Sequence, residues 1–329
     1  MSRFYACQHI NEEIRKNSAS GGVFSALAER IILQGGIVYG AAFNMNYRTV
    51  HHIGITSLSE IPLLRGSKYI SSKAGSIYKT IKKNLEDGQK VLFSGTPCQI
   101  AGLKRFVGDN ENLICVDIVC HGVAEEKVYI HYLNYLEQTY HSKISYVSFR
   151  DKSTSWKRSD IIFRFENGDE LREPVVYNSF MRGFIANLYL RETCTKCKYK
   201  SFSSGSDLTL SDFWGSSEIP ELSMDDTGLS IVSVHTSSGA ELFQRIRPQL
   251  QTIKELKEKD AFIFNESYRQ CASHHPGRNE FYSKYQTEEF NHLVFTILNS
   301  FQMTNKKKSL YTQLKNRFIH GLKHISRLK

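Results

Sequence analysis

The chain has 329 residues, 40% of them hydrophobic, and a formal net charge of +10. That length and apolar content allow a sizeable core and exclude a collagenous or largely disordered chain. Seven cysteines without an apolar leader, and no run near the roughly 20 apolar residues of a membrane span, lead to the expectation of a reduced, cytoplasmic protein without a disulfide framework.

In chain order, Val23 to Leu33 has helical periodicity and stops at Gly35-Gly36, and Ile37 to Phe43 and Val50 to Thr56 read as strands. An amphipathic helix follows over Gly75 to Leu85, then strand Val91 to Phe93, helix Ile100 to Phe106, strand Leu113 to Val119 and helix Glu125 to Thr139. Such alternation predicts βαβ packing. From Ile144 the pattern changes to alternating strands, Ile144 to Arg150 and Ile161 to Glu166, with Glu166-Asn-Gly168 as a hairpin turn. A helix over Tyr177 to Tyr189, strands over Asp207 to Trp214 and Ser230 to His235, and a helix over Gly239 to Ile246 complete the body. The expectation is an α/β, mixed α+β fold, with a mixed sheet, flanking helices and antiparallel strands in its second part. The parts are 1–140, 141–300 and a tail, 301–329. Between Lys306 and Lys329 the tail holds eight Lys or Arg and no acid, which leaves +2 for the body and removes most of the case for nucleic-acid binding. Leu310, Leu314, Phe318, Leu322, Ile325 and Leu328 recur at helical spacing. A basic amphipathic helix of this kind suits peripheral contact with an anionic membrane or an acidic protein, and equally a helix docked on its own domain.

Four cysteines stand at positions where chemistry is more economical than packing. Cys98 follows the Gly95-Thr96-Pro97 turn, Cys120 closes a strand before His121-Gly122, and Cys194 and Cys197 form a Cys-x-x-Cys pair. Four thiolates suit either an iron–sulfur cluster or structural zinc, and the spacing alone does not choose. Cys7, Cys115 and Cys271 read as packing residues. Cys98 at a helix start, with His121 as base, is a weaker nucleophile reading. Ser20-Gly21-Gly22 precedes a helix and could cradle a phosphate, although N-capping by Ser20 explains it too. Phe213 and Trp214 read as core, with Asp212 able to brace the cysteine loop, and the pairs His51-His52 and His274-His275 read as non-ligands.

Segments Arg15-Lys-Asn-Ser-Ala-Ser-Gly-Gly-Val-Phe24, Arg65-Gly-Ser-Lys-Tyr69, Ser94-Gly-Thr-Pro-Cys-Gln99, Val116-Asp-Ile-Val-Cys-His-Gly122, Cys194-Thr-Lys-Cys197, Asp207-Leu-Thr-Leu-Ser-Asp-Phe-Trp-Gly215 and Asp226-Thr-Gly-Leu-Ser230 occur in one order. Together they resemble the coenzyme F420 hydrogenase/dehydrogenase beta-subunit family, including relatives encoded with surface-polysaccharide enzymes. The resemblance implies FAD beside a 4Fe–4S cluster held by Cys98, Cys120, Cys194 and Cys197. It assigns the flavin to Ser20, Gly21, Gly22, Ser67, Lys68, Gly95 and Thr96, with Arg65 a lesser candidate. Many relatives begin with a ferredoxin-like module that this sequence lacks, so the expectation is a separate ferredoxin-like electron donor and a small-molecule substrate, F420 or a sugar-pathway intermediate. The competing expectation is a non-catalytic scaffold or electron-transfer subunit with zinc and no flavin.

Overall fold

The computed structural model describes residues 2–219, 222 and 226–301, and among these twelve strands build two sheets. The strands are β1 (Arg3–His9), β2 (Ile37–Phe43), β3 (Val50–Ile55), β4 (Ser72–Lys73), β5 (Val91–Gly95), β6 (Leu113–Ile118), β7 (Ile144–Asp151), β8 (Asp160–Phe165), β9 (Glu170–Pro174), β10 (Leu208–Asp212), β11 (Ser230–Val234) and β12 (Leu250–Leu256). The helices that matter below are α1 (Glu12–Lys16), α2 (Val23–Ile32), α3 (Ile61–Leu64), α4 (Ile77–Glu86), α5 (Pro97–Val107), α6 (Glu126–Thr139), α7 (Ser179–Ile185) and α8 (Ser237–Ile246). The large sheet has the order β12-β1-β11-β10-β6-β5-β2-β3-β4, and β7-β8-β9 is a separate antiparallel sheet.

At the centre, β2, β5, β6 and β10 pair in parallel, so their carboxyl ends share one edge of the sheet. Both faces there are covered, and side chains alternate between them. Leu92 and Val116 pack with Leu27, Ile31 and Phe243 from α2 and α8. Their neighbours Phe93 and Cys115 pack on the other face with Ile81, Ile100 and Leu103 from α4 and α5. A third core lies beneath the small sheet, where Phe149 and Phe163 meet Tyr129 and Tyr132 of α6 and Phe180 of α7.

The expected βαβ alternation is present, with differences that have physical causes. Helix α5 starts at Pro97 rather than Ile100, because proline is tolerated in a first turn and the Gln99 side chain accepts the Thr96 N–H at 3.0 Å. The helix expected over Tyr177 to Tyr189 is only Ser179–Ile185; Asn187 turns the chain with a φ of 65°. Strands β1, β4, β9 and β12 are additional. Because β1 pairs with β11 and β12, and β10 lies beside β6, residues from both expected parts alternate within one sheet. The tail expectation falls mostly on residues 302–329, which lie outside the described residues.

Two distant segments lock together beside the sheet edge. The buried Arg15 Nε donates to Thr227 Oγ1 at 2.8 Å and its Nη1 to the His9 carbonyl at 2.7 Å. Lys152 Nζ donates to the carbonyls of Ser20 (2.7 Å) and Thr227 (2.5 Å), and Ser20 Oγ to the Leu229 carbonyl (2.9 Å). Gly228 permits this approach: its φ is +113°, and a Cβ there would sit 2.7 Å from the Ser20 oxygen. Gly228→Ala is therefore expected to cost about 1–3 kcal/mol in denaturant unfolding, from positive-φ strain and the collision together.

Candidate functional site

A cavity of ≈ 1470 Å³ opens at the carboxyl ends of β5, β6 and β10, where open α/β sheets place their ligands. It exceeds the roughly 300–1,000 Å³ of an ordinary small-molecule pocket, so it can take an extended ligand. Among the described residues, nine lysines and arginines line it against two acids. Of the acids, Asp212 is engaged by Arg150 at 2.7 Å, and burial raises the pKa of Asp117 against the opposing hydrogen bonds of Ser204 and Thr209. The chemistry of this wall favours an anion.

Three loops carry the residues expected to meet a diphosphate. Gly22, not Ser20, caps α2, with a φ of 85°; Gly22 and Val23 line the cavity, so the helix N-terminus with its partial positive charge faces it. Ser20 also lines the cavity, but its hydroxyl is committed to Leu229. Gly21 corrects the expectation: it does not line the cavity, and its N–H donates to Ser230 Oγ at 2.9 Å. A Cβ at Gly21 would lie 2.9 Å from the Cys7 carbonyl oxygen, so that glycine serves close packing rather than ligand contact.

Ser67, Lys68, Gly95 and Thr96 all line the cavity, as does Arg65. Lys68 Nζ rests on the Arg65 carbonyl at 2.8 Å and makes longer contacts with those of Gly66 and Leu64. Burial lowers its pKa to about 8, as expected for an ammonium offered carbonyls but no carboxylate among its recorded partners. Burial also lowers the pKa of Arg65, whose Nε donates to Ser25 Oγ. Both cations would gain from an anion beside them.

Cys98, Cys120, Cys194 and Cys197 line the same cavity. Cys98 is exposed at the start of α5, with Thr96 Oγ1 3.2 Å from its sulfur. Cys194 and Cys197 lie at the 3-10 turn Glu192–Lys196. Burial pushes the Cys120 thiol up to about 12, opposed by Lys200 and reinforced by Cys194, Cys98 and Cys197. Burial also raises Cys194, reinforced by Cys98 and Cys197. Among the described residues, no three His, Cys, Asp or Glu gather closely enough to hold a single ion.

Cys7 and Cys115 are core residues, as expected, with burial raising each pKa to about 12. Cys271 departs from that reading: it is half-buried and its Sγ donates to the Cys197 carbonyl at 3.1 Å. Lys200, which the sequence did not single out, donates to the carbonyls of Cys120 (2.6 Å) and Ser267 (2.8 Å), joining the two cysteine-bearing loops. The recorded partners of His121 are Asn187 Oδ1 at 2.6 Å and Ser267 Oγ at 3.4 Å, so the hydrogen bond a Cys98 base would need is not made. His51 is exposed and His52 buried on opposite faces of β3, and His274 pairs with Glu192 at 2.6 Å.

Asp212 does not brace the cysteine loop. Its carboxylate accepts from Arg150 Nη1 and, at 3.2 Å, from Trp156 Nε1, while Trp156 stacks on Trp214 with ring centroids 5.2 Å apart. Phe213 is fully buried, as expected, whereas Trp214 is 37% exposed and lines the cavity. Arg150 was missed because its partner lies 62 residues away and nothing in an alternating strand marks one arginine as buried.

The profile of a family described as the C terminus of the coenzyme F420 hydrogenase/dehydrogenase beta subunit matches residues 88–259, more than half of the chain. No curated protein sequence matches. A solved chain of the F420-reducing [NiFe] hydrogenase complex from Methanosarcina barkeri, studied by xenon derivatization, superposes with a TM-score of 0.52 at 16% identity. That match covers 94% of this chain and 92% of the other, and at such identity it speaks for the fold.

Proposed function

The chain belongs to the coenzyme F420 hydrogenase/dehydrogenase beta-subunit family, and on that premise we propose that it is a flavin- and iron–sulfur-dependent oxidoreductase subunit. Its partner would be a ferredoxin-like protein and its substrate a small molecule. The observation that carries this is a single cavity whose walls hold a helix N-terminus, Lys68 and four cysteine thiols together. Bound there, FAD and a 4Fe–4S cluster would supply one-electron exchange coupled to a two-electron step.

In this reading Cys98, Cys120, Cys194 and Cys197 hold the cluster. Cys271 and Lys200 fix the backbone of the ligand loops through the carbonyls of Cys197 and Cys120. Gly22 opens the α2 N-terminus to a diphosphate, Ser67 and Lys68 offer donors to it or to the flavin ring, and Gly95 and Thr96 bring the flavin side next to Cys98. Asn187 and Ser267 hold the imidazole of His121, whose pKa burial lowers, keeping it neutral on the cavity wall.

Lys68 gives a pH prediction. Its free pKa of about 8 lies below the ordinary lysine value because burial disfavours the charge, and an adjacent anion reverses that. Flavin affinity is therefore expected to be full below about pH 8 and to fall as pH rises through it. Lys68→Met is expected to weaken binding by roughly ten- to hundredfold, equivalent to about 1.5–3 kcal/mol for a charged hydrogen bond, and to flatten that pH profile. Fluorescence titration of flavin-stripped protein checks both.

The functional test is to mix the purified full chain anaerobically with reduced ferredoxin. Bleaching of protein-bound flavin is the expected result. Flavin that stays oxidised while free ferredoxin remains reduced contradicts the assignment.

A further inference from the structure

The segment that carries Cys194 and Cys197 is basic and faces solvent. From Arg191 to Lys200 it holds four cations and one acid, whereas the whole chain outside Lys306 to Lys329 has a net charge of only +2. Arg191, Lys196 and Lys198 are exposed and line the cavity, so they stand where it meets solvent. Arg191 Nη1 donates to a neutral partner, Ser71 Oγ, at 3.0 Å. The Lys196 side chain is 81% exposed and its contact with Glu192 is long, 3.6 Å, while the other Glu192 oxygen is taken by His274 at 2.6 Å. An exposed pair of that kind neutralises little of the lysine's field. Glu266 is a further exposed acid, on the 3-10 turn Glu266–Tyr268, whose Ser267 carbonyl accepts from Lys200. Cys98 is exposed and Cys194 and Cys197 are half-buried, so these thiols reach the surface on this side. Ile185, six residues before Arg191, is 51% exposed and lines the same cavity, which adds the apolar area that protein contacts require within a charged rim.

We infer that Arg191, Lys196 and Lys198, around the Cys194–Cys197 turn, form the docking surface for an acidic electron-carrier protein. Cations on an exposed turn are too well solvated to select a small anion, but their summed field steers and orients a large partner with many carboxylates. That the docked protein is an electron carrier rests on the redox reading above; the acidic docking surface does not. These three are docking residues, separate from the four cysteines and from the Lys68 loop.

The experiment titrates a fluorophore-labelled acidic ferredoxin with the purified full chain and follows anisotropy at low and high ionic strength. Saturable binding that weakens steeply with salt is expected. Lys196→Glu/Lys198→Glu is expected to weaken it about tenfold or more at low salt, while flavin and iron contents stay at the wild-type level. The control, Lys79→Glu/Lys83→Glu, makes the same charge change at exposed positions of α4, which does not line the cavity, and should leave affinity unaltered. Equal weakening in both variants would mean that net charge alone drives binding, and overturns the docking surface. Unaltered affinity in the Lys196/Lys198 variant, or no binding at low salt, overturns it too. Phosphatidylserine vesicles that bind through those lysines where ferredoxin does not would give the face to a membrane, against the proposal. Ferredoxin that bleaches the bound flavin equally fast in wild type and variant upholds the redox reading and fails the surface. Docking that follows these lysines in protein without flavin or iron upholds the surface and fails the redox reading instead.

Discussion

Cys194→Ser protein purified without oxygen is expected to lose most of its iron and inorganic sulfide while keeping its secondary structure. Cys194 is half-buried on the cavity wall, in a short turn that packs against Gly122. A hydroxyl there preserves the local volume but removes the soft thiolate that iron–sulfur groups require. Neighbouring cysteines do not substitute, because they belong to other loops: Cys98 opens α5 and Cys120 follows β6. Cys271→Ser is the control. Its side chain only donates to the Cys197 carbonyl, which a serine hydroxyl can also do, so iron content should remain near wild type. Equal loss in both variants would mean that the thiols act as packing residues.

Asp212→Ala is expected to destabilise the protein by about 3–5 kcal/mol, because it leaves the buried Arg150 guanidinium without its counter-charge. Trp156 Nε1 loses its acceptor in the same step. The paired replacement Arg150→Met/Asp212→Leu should cost far less, since it removes both charges and leaves apolar groups of similar volume. Thermal or denaturant unfolding of the two variants side by side distinguishes an essential ion pair from simple filling of space. If the single and double variants lose the same stability, the ion pair is not what holds this wall.

Much of this site is local in sequence, which is why it could be read there. Thr96-Pro97-Cys98 marks the start of a helix, Cys194 and Cys197 come as a pair, and Gly22 sits before a periodic apolar run; each feature needs only its neighbours. The expected alternation over residues 20–140 held because β5 and β6 are short apolar runs between amphipathic helices. Strand β1 was not legible, since it is buried at six of its seven positions between β11 and β12 and shows no alternation. Gly21 was misread because a glycine needed for close packing looks the same as one needed for a phosphate. Arg150, Lys200 and Cys271 act through partners 62 to 80 residues away, and only the folded chain brings those together.

The central claim is that one cavity holds both a flavin and an iron–sulfur cluster. The most direct test is quantification of flavin, iron, inorganic sulfide and zinc on the anaerobically purified full chain, with its visible spectrum. Flavin bands above broad iron–sulfur absorption, with iron and sulfide in equal amounts, are the result the account predicts. Colourless protein containing zinc and no flavin would contradict it.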